Sequence, residues 1–236
     1  MDFNKRVLVI IPAYNEEGSV GKVVGEVKKY LPQSEILVVN DGSRDLTSEK
    51  ARESGAVVLD LPFNLGIGGA MQAGYKFAYE KDFDIAIQVD GDGQHDPKEI
   101  QKLLDVLKGQ EVDMAIGSRF IGDSEFKSSM MRRVGKSILS KVISTIMAQE
   151  VTDPTSGFRA VNRKAIRLFA FEYPQDYPEP ESLVLLHKAG LKIRETPVQM
   201  KERTSGESSI TALYSVYYMV KVLLAIFVDC FKKVHS

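Results

Sequence analysis

The chain has 236 residues, 44% hydrophobic and 27% charged, the balance of a folded globular protein rather than a disordered one. Its 31 Lys and Arg against 32 Asp and Glu give a net charge of −1, without the basic excess of a nucleic-acid-binding domain, so no nucleic-acid partner is expected. The single cysteine, Cys230, excludes an internal disulfide, and no secretory leader pattern opens the sequence, which together point to a reducing compartment.

The first apolar run, Val7-Leu8-Val9-Ile10-Ile11, is ended by Pro12 and reads as a buried strand at 6–11. In chain order there follow a helix at 17–30, a strand at 35–40, a helix at 45–54, a strand at 56–60, a helix at 68–80, a strand at 84–89, a helix at 97–107 and a strand at 112–117. Strands alternating with helices predict an α/β fold, a mostly parallel sheet between helices. The strands are nearly all apolar, as a sheet covered on both faces requires. Further on, 128–149 reads as a helix containing Arg132 and Arg133. Asp153 to Gly157 reads as a turn, 158–161 and 191–198 as strands, and 203–209 as a polar loop.

Residues 212–228 are apolar apart from Lys221, and Asp229, Lys232 and Lys233 follow. A membrane-crossing helix needs about 20 apolar residues, so this segment is expected to lie in the membrane interface as an amphipathic or juxtamembrane helix. Packing on the domain or on a partner is the alternative. Tyr214, Tyr217 and Tyr218 have helical spacing, which suits an interfacial aromatic belt or plain packing alike. These patterns divide the chain into an α/β domain at 1–208 and an apolar helix at 209–236.

Ligands of parallel α/β sheets bind beyond the carboxyl ends of the strands. Four polar clusters follow strands here: Tyr14-Asn15-Glu16, Asp41-Gly42-Ser43, Asn64 to Gly69, and Asp90-Gly91-Asp92-Gly93-Gln94. The last pairs two carboxylates among glycines, a donor set for a hard cation such as Mg²⁺ or Mn²⁺ that completes its shell with phosphate oxygens and water. The segment 64–69 is no dinucleotide fingerprint, because Met71 stands where a third glycine is required; it is expected to form a helix N-terminus near a bound anion. His95, His187 and His235 form no metal-binding pattern, although His95 adjoins the carboxylate pair.

Ile11-Pro12-Ala13-Tyr14-Asn15-Glu16-Glu17, Val38-Val39-Asn40-Asp41-Gly42-Ser43 and Asp90-Gly91-Asp92 stand in register, each after a strand, and together resemble the inverting family-2 glycosyltransferases of the GT-A fold. The resemblance implies that Pro12, Tyr14, Asn15, Glu16 and Asp41, with Asp90, hold the donor nucleotide. It implies that Asp90, Asp92 and Gln94 bind the metal and diphosphate. Gly117-Ser118-Arg119-Phe120, Asp153-Pro154-Thr155-Ser156-Gly157-Phe158-Arg159 and Arg203-x-x-Gly206-x-Ser208-Ser209 look like the dolichyl- or polyprenyl-phosphate sugar synthases. In that subfamily arginines bind the acceptor phosphate, which nominates Arg119, Arg132, Arg133 and Arg203, with Ser208. Asp92, Arg119 and Arg203 become the catalytic candidates.

A nucleotide-diphosphate sugar donor and a lipid phosphate acceptor are therefore expected, at the cytoplasmic face of a membrane with the protein held peripherally. Such enzymes often carry transmembrane helices after the catalytic domain. A small membrane-protein partner or a homo-oligomer contact stands as an alternative to anchoring. A lipid phosphate is ionised near neutral pH and needs no general base, whereas a sugar hydroxyl does. The rival expectations are a transferase acting on a hydroxyl of a cell-surface polysaccharide, with Glu179 or Glu181 as base, and a non-catalytic nucleotide-binding scaffold.

Overall fold

The computed structural model describes residues 5–109, 111–122, 130–201 and 220–228. The strands are β1 (Val7–Ala13), β2 (Glu35–Asn40), β3 (Val57–Asp60), β4 (Ile85–Gln88), β5 (Met114–Ser118), β6 (Arg159–Asn162) and β7 (Ile193–Pro197). They form one sheet in the order β3-β2-β1-β4-β6-β5-β7. Every neighbouring pair is parallel except those made by β6, which runs antiparallel to both β4 and β5. The helices are α1 (Val20–Tyr30), α2 (Thr47–Glu53), α3 (Gly66–Glu80), α4 (Ile100–Lys108), α5 (Met130–Met147), α6 (Arg163–Phe171) and α7 (Pro178–Lys188).

Period-two alternation divides each central strand between two cores. Leu8, Ile10, Leu37 and Val39 face a core built with α3, α5, α6 and α7. Val9, Ile11, Ile36 and Val38 face the core of α1, α2 and α4. The expected strands all form, with ends shifted by a residue or two. The helix expected at 68–80 begins at Gly66, so its glycines lie inside it. Two helices, α6 and α7, were not expected, and both belong to the layer behind β6 and β5.

The reversed strand completes the rim. The carboxyl ends of β1, β2, β4 and β5 lie together at one edge of the sheet. Because β6 lies between β4 and β5 and points the other way, the turn that precedes it, 153–157, arrives at that same edge.

Residues 220–228 are helical, and Val222 and Ile226 are buried in the α3/α5/α6/α7 core. At about 100° per residue, Val220, Leu224, Phe227 and Val228 form a stripe on the far side, 60%, 61%, 62% and 46% exposed. This helix is thus apolar on two faces, and one of them is used internally. Among the described residues no helix is long and apolar enough to cross a membrane.

Candidate active site

The loops after β1 and β2 are laced together. Asn15 takes a left-handed conformation (φ 54°) that asparagine tolerates. Its N–H donates to Ser43 Oγ at 2.9 Å, and its Oδ1 accepts from the Arg44 N–H at 3.0 Å. The Glu16 N–H donates to Thr47 Oγ1 at 2.8 Å, and its carboxylate accepts from Ser19 Oγ at 2.5 Å. Pro12 is buried beneath them and Tyr14 stands 46% exposed at the rim. The Asp41 N–H donates to the Ala13 carbonyl at 2.9 Å, so Pro12, Tyr14, Asn15, Glu16 and Asp41 share one end of β1 and β2.

Asp41 is buried, and its two carboxylate oxygens accept from the Leu65 N–H at 2.7 Å and the Gly66 N–H at 3.0 Å. The protein's own carboxylate caps α3, which corrects the expectation that these amides await a bound anion. Gly68 serves packing instead, since a Cβ on it would collide with the Gln175 backbone, whereas Gly66 takes a left-handed turn (φ 79°).

Asp90 follows β4. Its N–H donates to His95 Nδ1 at 3.0 Å, so a neutral His95 carries its proton on Nε2, which faces Asp90 Oδ2 at 3.4 Å. His95 is buried and stacks on Phe158 at 4.9 Å between ring centres. From the other side Gln88 Nε2 approaches Asp90 Oδ1 at 3.5 Å, the long limit of a hydrogen bond. A Cβ on Gly157 would lie 3.3 Å from Asp90 Oδ1, a tight contact that would press on that carboxylate. Asp92 Oδ1 accepts the Gln94 N–H at 3.0 Å, a turn that fixes the Asp92 carboxylate.

Among the described residues no three His, Cys, Asp or Glu side chains converge as a closed metal cage. Asp90, Asp92 and Gln94 supply hard oxygen donors, and both carboxylates are partly open to solvent. That set fits a Mg²⁺- or Mn²⁺-type ion that keeps most of its shell for water and phosphate.

Arg119 leaves β5 on the other side of β6. Its Nε and Nη2 bind the two oxygens of Asp153 at 2.7 and 2.8 Å, and Nη2 also reaches Thr155 Oγ1 at 3.0 Å. Burial alone would lower the guanidinium pKa, but the hydrogen bonds and charge of Asp153 outweigh it and hold the group above its ordinary value. Asp153 is itself fixed through its N–H to Glu195 Oε1 at 2.7 Å.

Sequence reasoning did not single out Arg159 as functional. It is fully buried and donates to the carbonyls of Ser156, Pro154 and Glu179 and to Ser182 Oγ, tying the 153–157 turn to the start of α7. Of the two acidic residues there, Glu181 is buried and accepts the Tyr177 N–H at 3.1 Å, a cap for α7. Burial raises the Glu179 carboxyl, with Arg159 opposing and Asp90 adding to the shift. Of the two candidate bases, Glu179 is the one whose carboxyl is shifted, by burial and by the charges of Arg159 and Asp90.

Arg203 and Ser208 lie outside the described residues, as do Tyr214, Tyr217 and Tyr218, and the side chains of Arg132 and Arg133 on α5 are not described. The segment leading toward Arg203 runs beside the carboxylate turn: Met200 bridges His95, and the Lys201 N–H donates to the Gln94 carbonyl at 2.9 Å. A cavity of about 680 Å³ opens beside Phe120, Thr152 and Glu195, and its lining includes neither Asp90 nor Asp92.

Residues 8–169 match the family model for glycosyl transferase family 2. The chain belongs to that family. It is a family-2 glycosyltransferase, and named relatives carry the likeness to prenyl-phosphate sugar synthases. It is 32% identical to an undecaprenyl-phosphate mannosyltransferase of Micrococcus luteus over 87% of this chain and 88% of that one. It is 31% identical to a UDP-N-acetylglucosamine–dolichyl-phosphate N-acetylglucosaminyltransferase of Methanococcus voltae, over 83% of this chain and 86% of that one. An uncharacterized protein of Methanocaldococcus jannaschii is 36% identical, over 84% and 83% of the two chains. In fold, this family-2 chain superposes on glucosyl-3-phosphoglycerate synthase of Mycobacterium tuberculosis, solved with Mn²⁺, UDP and phosphoglyceric acid. The TM-score is 0.74 at 20% identity, covering 98% of this chain and 80% of that one.

Proposed function

We propose that this family-2 glycosyltransferase moves a hexose from a UDP- or GDP-sugar to a polyprenyl phosphate, with inversion at the anomeric carbon and dependence on Mg²⁺ or Mn²⁺. The observation that carries the reading is the juxtaposition across β6. The carboxylates Asp90 and Asp92 stand after β4 and the cation Arg119 after β5, with the 153–157 turn between them. A diphosphate needs the first and a second phosphate needs the other. The two named relatives, similar over most of their length, act on lipid phosphates according to their names, which supports the same acceptor here.

In this reading Tyr14, Pro12, Asn15 and Glu16 line the nucleoside end. Asp41 shapes it by holding the start of α3. A divalent cation bound through Asp90, Asp92 and Gln94 would neutralise the leaving diphosphate. Arg119, Arg132, Arg133 and Arg203, with Ser208, would offset repulsion between acceptor and donor phosphates; arginine suits this because its planar fork pairs phosphate oxygens two at a time. One acceptor phosphate oxygen attacks the anomeric carbon as the bond to the diphosphate breaks, and the nucleoside diphosphate leaves. No proton has to be removed from the nucleophile.

The segment 1–208 is the catalytic unit in this account, and 209–236 attaches it peripherally to the cytoplasmic face of a membrane. The exposed stripe Val220, Leu224, Phe227 and Val228 supports that attachment, to lipid or to a small membrane-protein or homo-oligomer partner. A second reading, transfer to a saccharide hydroxyl, draws support from Glu179, whose raised pKa suits a general base.

The test is transfer of radiolabelled sugar from a panel of UDP- and GDP-sugars to a short polyprenyl phosphate in detergent, with Mn²⁺, with Mg²⁺ and with EDTA. Metal-dependent label in the organic phase is the expected result. Label on a polysaccharide, lost in Glu179→Gln, would transfer the assignment to the hydroxyl reading.

A further inference from the structure

The strand β4 reads Ile85-Ala86-Ile87-Gln88 and is buried on both faces. Gln88 is 1% exposed, and its Oε1 finds no hydrogen-bond partner among the described residues. A buried acceptor left unsatisfied lowers stability. An apolar side chain of the same shape would avoid that penalty, so the fold itself gives no reason for an amide at this position. The site does. Gln88 Nε2 points at Asp90 Oδ1, and the Gly157 backbone closes over both, since a Cβ there would meet Gln88 Nε2 at 3.0 Å and Asp90 Oδ1 at 3.3 Å. On the opposite side His95 accepts the Asp90 N–H and turns Nε2 toward Oδ2, its ring fixed by Phe158.

We propose that Gln88 and His95 are positioning residues that hold the Asp90 carboxylate from both sides for the cation and diphosphate, and that Gln88 serves this at the expense of stability. The inference rests on the proposed metal role of Asp90 and Asp92. Neither residue touches the substrates in this account. Partners that orient a metal ligand typically change metal affinity about 10–100-fold when removed.

The experiment uses the full chain and follows Mn²⁺ binding by electron paramagnetic resonance in the presence of UDP, and separately of GDP, beside thermal unfolding. Gln88→Met keeps the length of the side chain and replaces its amide with an apolar thioether. It is expected to unfold at the same or a higher temperature than the parent while binding Mn²⁺ with nucleoside diphosphate about 10–100-fold more weakly. His95→Asn retains an acceptor for the Asp90 N–H and loses the Nε2 proton, and the same weakening is expected. Unchanged Mn²⁺ affinity in Gln88→Met, or a lowered unfolding temperature accompanying the loss, would overturn the assignment of Gln88. Unchanged affinity in His95→Asn would overturn that of His95. Asp92→Ala separates the two levels: if it binds Mn²⁺ as the parent does, the metal reading itself fails. If it loses binding while Gln88→Met does not, only the positioning inference fails.

Discussion

Two demands meet at Arg119. Its partner Asp153 is 0% exposed, and a buried carboxylate without its cation is costly. Arg119→Ala is therefore expected to destabilise the protein by about 3–5 kcal/mol in urea unfolding, quite apart from any effect on an acceptor. An unfolding midpoint equal to the parent's would show that the pair contributes nothing to the fold. Glu179 gives a prediction of opposite character. Its folded-state pKa is raised, chiefly by burial, so the native state binds its proton more tightly than the unfolded chain does. The stabilisation is fully present below the ordinary carboxylate pKa and is lost as pH rises through the raised value. Glu179→Gln should therefore melt above the parent at pH 8, with the gap closing as pH falls toward 4. A gap that instead widened in acid would contradict the assigned environment.

At the scale of elements, α3 and the tail helix carry the expectations. Gly→Ala inside a helix ordinarily stabilises by about 1 kcal/mol. At Gly68 the opposite sign is expected, because the added Cβ would collide with the Gln175 carbonyl oxygen; a loss of about 1–3 kcal/mol should appear in denaturant titration, and a gain would contradict the close contact between α3 and that loop. In the tail helix the two faces should separate under mutation. Leu224→Glu should leave the melting temperature unchanged and abolish co-sedimentation with anionic liposomes, whereas undiminished co-sedimentation would show that this stripe is not the membrane-binding face.

These elements also show how far the sequence could be read. Strands β1, β2 and β4 are mostly apolar runs followed by the polar clusters at 14–16, 41–43 and 90–94, and that pattern locates the donor side of the proposed rim. Helix α7 escaped because it opens with Pro178-Glu179-Pro180-Glu181, which resembles a turn although proline is at home in a first helical turn. It is also buried around most of its circumference, which erases helical periodicity. The direction of β6 has no local signature, since strand periodicity is the same in either sense. Yet that direction brings Asp153 and Gly157 to the site. Pairings such as Asp41 with α3, or Gln88 with Asp90, depend on which backbone approaches, which residue identities alone do not encode.

Over the whole molecule, parallel strands carry the half proposed to bind the donor, and one reversed strand joins it to the half proposed to take the acceptor. The functional reading turns on the acceptor being a phosphate rather than a hydroxyl. The deciding experiment offers the same purified chain a polyprenyl monophosphate and the corresponding free prenol, side by side, with a competent donor and Mn²⁺, and analyses the lipid products by mass spectrometry. A glycosyl-phosphate lipid formed from the monophosphate and no product from the prenol is the expected result. Glycosylated prenol, or transfer only to a saccharide hydroxyl, would contradict it.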